Sequence, residues 1–172
     1  MSRKVEFFSN KCGSRCCEDA FGVVDDTSKE NEPAYIDTKS PRIWDLKVEN
    51  PLQINVLHQA IDKCIVFLKE DGVSHDRICD SMIHWGNSLI FVEFKHRNKN
   101  FAVWTNDAAE QIKITISYFN KNNDYTKYTR KEAFLINKKK PSISTPKPTL
   151  LKSFYKETIG FVLKINQNLK VH

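Results

Sequence analysis

The apolar positions change period several times along the chain, and each period predicts an element. Arg42 to Val48 mixes apolar and polar residues in rough alternation, the pattern of a half-buried strand. From Ile54 the spacing becomes helical, with apolar residues at Ile54, Leu57, Ala60, Ile61, Cys64, Ile65 and Leu68. Asn50-Pro51-Leu52-Gln53 precedes them and reads as an N-cap, a first-position proline and a glutamine that can bond back. Asp71-Gly72 is a stop, so a helix is expected from Asn50 to Asp71, although Cys64 to Leu68 alone also suits a buried strand.

Arg77 to Trp85 and Ser88 to Lys95 are strand-like runs joined by Gly86-Asn87, a two-residue hairpin signal. The second run is apolar on both faces near its start, which predicts an interior strand covered on two sides. Asp107-Ala108-Ala109-Glu110 fits a capping box, and Ala108, Ile112, Thr115, Ile116 and Phe119 form a helical stripe ending near Lys121 to Asp124. Glu132 to Asn137 reads as a strand. Residues 138–150, with Pro141, Pro146 and Pro148, read as a loop. Leu151 to Ile165 suits helix or strand equally, and Gly160 weakens the helix. Residues 1–40 read as irregular apart from an apolar run at Ala20 to Val24. The division expected is an N-terminal extension (1–49) packing on a core (50–137), followed by a Pro-rich loop and a basic C-terminal element (138–172).

Composition narrows the class. A chain of 172 residues suits one compact domain. No apolar run reaches the length of a membrane span, and Met1 to Glu6 lacks an apolar leader, so a soluble cytoplasmic protein is expected. The five cysteines cannot all pair internally, which also favours a reducing compartment. The net charge of +6 is unevenly placed. From Lys121 onward there are 12 Lys and Arg against 3 Asp and Glu, a net of +9, whereas residues 1–120 carry −3. The density is greatest at Lys138-Lys139-Lys140, which reads either as a solvated loop or as a phosphate-contacting surface.

The hairpin concentrates the candidate chemistry. If Gly86 and Asn87 form the turn, Trp85 pairs with Ser88 and Asp80 lies opposite Glu93, on one face. Two like charges so placed need a cation or a raised pKa. Period two puts Lys95 on the face of Glu93. Two carboxylates and waters suit Mg²⁺ or Mn²⁺, and a neighbouring ammonium can position or activate an attacking water. The competing reading places all three as ordinary charges at the rim of a sheet.

Asp80, twelve intervening residues and Glu93-Phe94-Lys95 resemble the PD-(D/E)xK nuclease signature, over roughly residues 50–137. The resemblance implies a restriction-endonuclease-like α/β core, a mixed sheet with a central hairpin flanked by helices. It also implies metal binding by Asp80 and Glu93, a catalytic role for Lys95, and Mg²⁺-dependent cleavage of phosphodiester bonds, in DNA foremost. Some members carry a Gln on the helix after the motif, and Gln111 stands in such a place, without the usual Q-x-x-x-Y form because Thr115 replaces the Tyr. Other departures are Cys79 where Pro is usual, no clearly aligned acid on the first helix (Asp62 and Glu70 are the candidates), and no obvious strand between that helix and Asp80.

Arg97, after the motif, and Lys138, Lys139 and Lys140 are candidate phosphate contacts, and His96 is as readily a surface residue. His84 is expected to pack rather than ligate, and Trp104 to anchor the core. Cys12, Cys16 and Cys17 lack standard zinc spacing. No Gly-rich phosphate loop is present. The expectation is a DNA-cleaving endo- or exonuclease of defence, repair or mobile-element biology, acting as a homodimer or with a protein partner. The alternative is a catalytically inactive binding module on the same fold.

Overall fold

Gly86 adopts φ of 45°, a backbone conformation that favours glycine, and turns the chain between the two central strands of the main sheet. In the computed structural model, which describes residues 5–69, 72, 74–97, 100–139, 146–165 and 167–172, these strands are Ser81–Trp85 (β6) and Ser88–Lys95 (β7). They pair antiparallel with Trp85 opposite Ser88 and Ser81 opposite Val92, the register expected from the turn. Preceding strands are Gly13–Cys16 (β1), Ala20–Val24 (β2), Tyr35–Asp37 (β3), Leu46–Glu49 (β4) and Val56–Ala60 (β5). Following elements are helix Phe101–Asn122 (α1), strand Arg130–Asn137 (β8), helix Pro148–Glu157 (α2), and strands Val162–Ile165 (β9) and Asn168–Lys170 (β10).

The strands form a six-stranded sheet, β1-β5-β6-β7-β8-β9, and a four-stranded sheet, β10-β4-β2-β3. In the first, β1 to β7 pair antiparallel, and β7, β8 and β9 run parallel with α1 and α2 as their crossovers. The protein is thus a mixed α/β fold, with two mixed sheets and, among the described residues, two helices. None is long and apolar enough to cross a membrane.

Period two sorts the side chains of β7 between two cores. Leu89 and Phe91 join Met82, Ile112, Ile116, Phe119 and Phe154 beneath the helices. Ile90, Val92 and Phe94 join Phe21, Val23, Leu46, Val48, Leu169 and Val171 between the sheets. The order of layers is helices, six-stranded sheet, four-stranded sheet, and β7 is covered on both faces as its composition required. Each fully buried large apolar side chain contributes about 1.5–3 kcal/mol.

Several expectations change. The helix expected from Asn50 to Asp71 is absent, and β5 stands there instead. Gln53 and Lys63 have φ of 50° and 63°, which no continuous right-handed helix permits. Asn50 is buried, and its side chain bonds Glu18 O and both backbone groups of Ile54, shaping a turn rather than capping a helix. Glu70 and Asp71 lie outside the described residues. Residues 1–40, read as irregular, contain β1, β2 and β3. The strand expected from Arg42 begins at Leu46, after a 3-10 turn at Pro41–Ile43. The Arg77 strand begins at Ser81. Helix α1 begins six residues before Asp107, and Trp104 lies within it, buried in the helix-side core. Pro148, placed in the loop, opens α2, a position proline favours. Residues 151–165 are helix first and strand second, broken where Ile159 and Gly160 take φ of 57° and 93°. Cys12 and Cys64 form a disulfide, which joins the approach to β1 to the loop after β5, while Cys16, Cys17 and Cys79 are free thiols.

Candidate functional site

Antiparallel β6 and parallel β7 and β8 bring three chain segments to one end of the main sheet: the approach to β6 and the exits of β7 and β8. Asp80 sits immediately before β6, and its Oδ2 accepts the Phe94 N–H at 2.6 Å. Continuing the ladder by one pair puts it across from Glu93. Glu93 is 1% exposed. Its Oε1 accepts from Lys95 Nζ, and its Oε2 is buried with no hydrogen-bond partner. Lys95 Nζ also donates to Gln111 Oε1 at 2.5 Å, and Gln111 Nε2 donates to Ile78 O at 3.0 Å. Period two on β7 and the inward face of α1 therefore bring Asp80, Glu93, Lys95 and Gln111 together.

The electrostatics follow from burial. Asp80 has its pKa pushed up to about 7, chiefly by desolvation; the Phe94 N–H opposes this, and the charges of Asp25 and Asp62 add to it. Glu93 is pushed well up, again first by burial and then by the Asp80 charge, against the pull of Lys95. Two buried carboxyl groups lie side by side, each pushed towards its protonated form by burial, and Glu93 by the Asp80 charge as well. Such an environment fits a divalent cation, which would satisfy both carboxylates at once. Among the described residues no group of three or more His, Cys, Asp or Glu is placed to hold a metal, so any such ion would rest on two carboxylates plus backbone or water oxygens.

The sequence did not single out Asp25, which follows β2. It faces the site from the second sheet, with its Oδ2 3.8 Å from His96 Nε2 and its N–H bound to Asp45 Oδ2 at 2.9 Å. Burial raises its pKa, and the charges of Lys63 and His96 pull it down. Asp62, unaligned on the expected helix, is close enough to raise Asp80 because its loop follows β5. Arg77 reaches α1 through Asp107 at 3.0 Å and Gln111 at 3.3 Å. The one sequence cue to Asp25 is an acid directly after an apolar strand, and nothing local ties it to Asp80.

The basic candidates gather at the same end. Asn137, the last residue of β8, accepts the Arg97 N–H at 3.2 Å and donates to Arg97 O at 2.8 Å. Its side chain also accepts the Lys139 N–H at 3.3 Å. Arg97, Lys138 and Lys139 are exposed there, and Lys138 Nζ pairs with buried Asp45 at 3.0 Å. Lys140 lies outside the described residues. His84 lies further along β6 and packs edge-on against Phe8 and Tyr128, as a packing residue should. Cys12 is in the disulfide, and Cys16 is buried between the sheets. No family model, curated protein or solved structure matches the chain.

Proposed function

We propose that the chain is a metal-dependent nuclease that hydrolyses phosphodiester bonds of DNA with Mg²⁺ or Mn²⁺. The observation that carries this reading is the buried pair of carboxyl groups, Asp80 and Glu93, in which Glu93 Oε2 has no donor other than a proton shared with Asp80. Asp80 and Glu93 would hold the ion, which when bound polarises a phosphoryl oxygen and acidifies its water. Lys95 lies beside Glu93 and is oriented by Gln111, so it can position the attacking water and offset the negative charge that develops at phosphorus. Arg97 and Lys139, exposed at the same end of the sheet, would contact flanking phosphates, joined by Lys138 once released from Asp45. The resemblance to PD-(D/E)xK nucleases gains from the strand β5, which occupies the place where a strand before Asp80 was wanting. It loses the preceding helix and, with it, any acid on that helix.

A second reading, an inactive binding module, is favoured by the Lys95–Glu93 ion pair, since a lysine that neutralises Glu93 lessens the need for a cation. Plasmid and linear DNA cleavage by the wild type and by Glu93→Gln and Lys95→Ala, with Mg²⁺ uptake followed by calorimetry, separates the two. The nuclease reading expects cleavage to fall by about 10²–10⁴-fold in Lys95→Ala and Mg²⁺ uptake to vanish in Glu93→Gln. Cleavage that persists undiminished in both folded variants would sink it, and an inert wild type with no Mg²⁺ uptake would leave the binding module.

A further inference from the structure

A concavity of about 560 Å³ opens on the helix-side face of the main sheet, towards the Gly86 turn and away from the Asp80–Glu93 end, between β1, β5 and β6 and the loop before β8. Sites for small organic ligands have about 300–1,000 Å³. Three rings and an aliphatic side chain supply an apolar wall: Phe8, His84, Tyr128 and Leu57. His84 stands edge-on to Phe8 at 5.9 Å and to Tyr128 at 5.5 Å between ring centroids. Gly13 lets Gln59 Oε1 and Ser9 O pack close to β1 at the cavity wall, since a Cβ there would meet them at 3.0 Å and 3.1 Å.

The polar lining is one-sided. Arg15 and Lys127 are exposed at the cavity, and among the described residues no Asp or Glu lines it. Both line the cavity with His84, whose pKa is lowered first by burial and then by the Lys127 and Arg15 charges. Two further lining groups hold buried oxygens without hydrogen-bond partners, Gln59 Oε1 and Tyr128 OH. Buried polar atoms are normally paired, so two orphans lining one cavity point to a ligand that donates to them. Both oxygens lie beneath the cavity surface, in side chains that line it.

We propose that this concavity binds a mononucleotide unit, a planar heteroaromatic base joined to a phosphate. The rings and Leu57 take the flat base, whose amino or ring N–H groups pair with Gln59 and Tyr128. Arg15 and Lys127 take the phosphate. A bare phosphate lacks the apolar body, and a nucleoside lacks the charge. The proposal stands apart from the reading of the Asp80–Glu93 site and survives its failure.

The test is calorimetry on the full chain with AMP, GMP, CMP and UMP, with inorganic phosphate and adenosine as controls. At least one mononucleotide is expected to bind about tenfold or more tightly than either control. Arg15→Gln and Lys127→Gln, both at exposed positions, are expected to weaken it about tenfold each. Tyr128→Phe should weaken it while keeping the ring, and Glu93→Gln should leave it unchanged. A 5′-phosphorylated trinucleotide separates the sources: tighter binding that still needs Arg15 identifies a strand end, and weaker binding identifies a free nucleotide. No mononucleotide binding at millimolar concentration, or binding indifferent to both Arg15→Gln and Lys127→Gln, overturns the proposal.

Discussion

His58 lies between the sheets at 1% exposure, with Nε2 3.0 Å from Ser81 Oγ and Nδ1 3.5 Å from Ser14 Oγ. Burial alone lowers its pKa from 6.5 to about 4. The unfolded chain therefore binds a proton that the folded chain refuses, and stability must fall as pH drops through that window. Between pH 6.5 and about pH 4 each tenfold rise in proton concentration costs up to about 1.4 kcal/mol, so the loss reaches about 3 kcal/mol by about pH 4. Asp80 and Glu93 act with the opposite sign: their raised pKa values make the folded chain bind the extra proton, so they lower stability as pH rises from the usual carboxylate range towards neutrality. The wild-type pH curve alone cannot isolate His58, but its difference from His58→Gln can, because the carboxyl contributions cancel. Urea midpoints followed by far-UV circular dichroism, at fixed salt from about pH 7.5 to about pH 4, should show wild type losing about 3 kcal/mol relative to the variant. A difference that stays constant across that range would refute the argument that His58 is buried neutral.

Two other outcomes test the architecture. Cys12 and Cys64 are separated by 52 residues, so reducing the disulfide should cost about 4 kcal/mol on the loop-closure model, read as a lower melting temperature in reductant that a Cys12→Ser, Cys64→Ser variant reproduces without it. Gly22 has no room for a side chain, since a Cβ there would lie 2.0 Å from two Trp44 ring atoms, so Gly22→Ala should displace Trp44, break its bond to Asp37, and lower the urea midpoint by an amount equal to about 1–3 kcal/mol.

The hairpin was legible because one glycine and the alternation around it act locally, and its register carried Asp80, Glu93 and Lys95 to one place. Gln111 was legible for a related reason: it sits beside the apolar stripe that a helix must turn toward the sheet. Strand β5 was not legible. Its buried positions include His58, which bonds Ser81 across the sheet, and Gln59, whose amide donates to Ala60 O, so the apolar residues left visible mimic a helical spacing. Asp25 belongs to the other sheet and comes near Asp80 only through the stacking of the two layers, which no period in the sequence encodes. The disulfide was hidden because Cys12 and Cys64 are distant in sequence, and their approach depends on the antiparallel β1–β5 pairing. Strand β10 was missed because it is short, and only Leu169 and Val171 mark it as buried.

The small sheet has a consequence for the order in which the molecule can be built. Strand β4 takes β10 as its parallel partner, Lys47 beside Asn168, some 120 residues later in the sequence. Until that late segment arrives, β4 holds a row of unpaired backbone donors and acceptors, and the apolar side chains meant for Leu169 and Val171 face water. A growing or partly unfolded chain is thus exposed to wrong partners along β4. Its safety rests on how fast the last strand docks, a long-range step that is intrinsically slow.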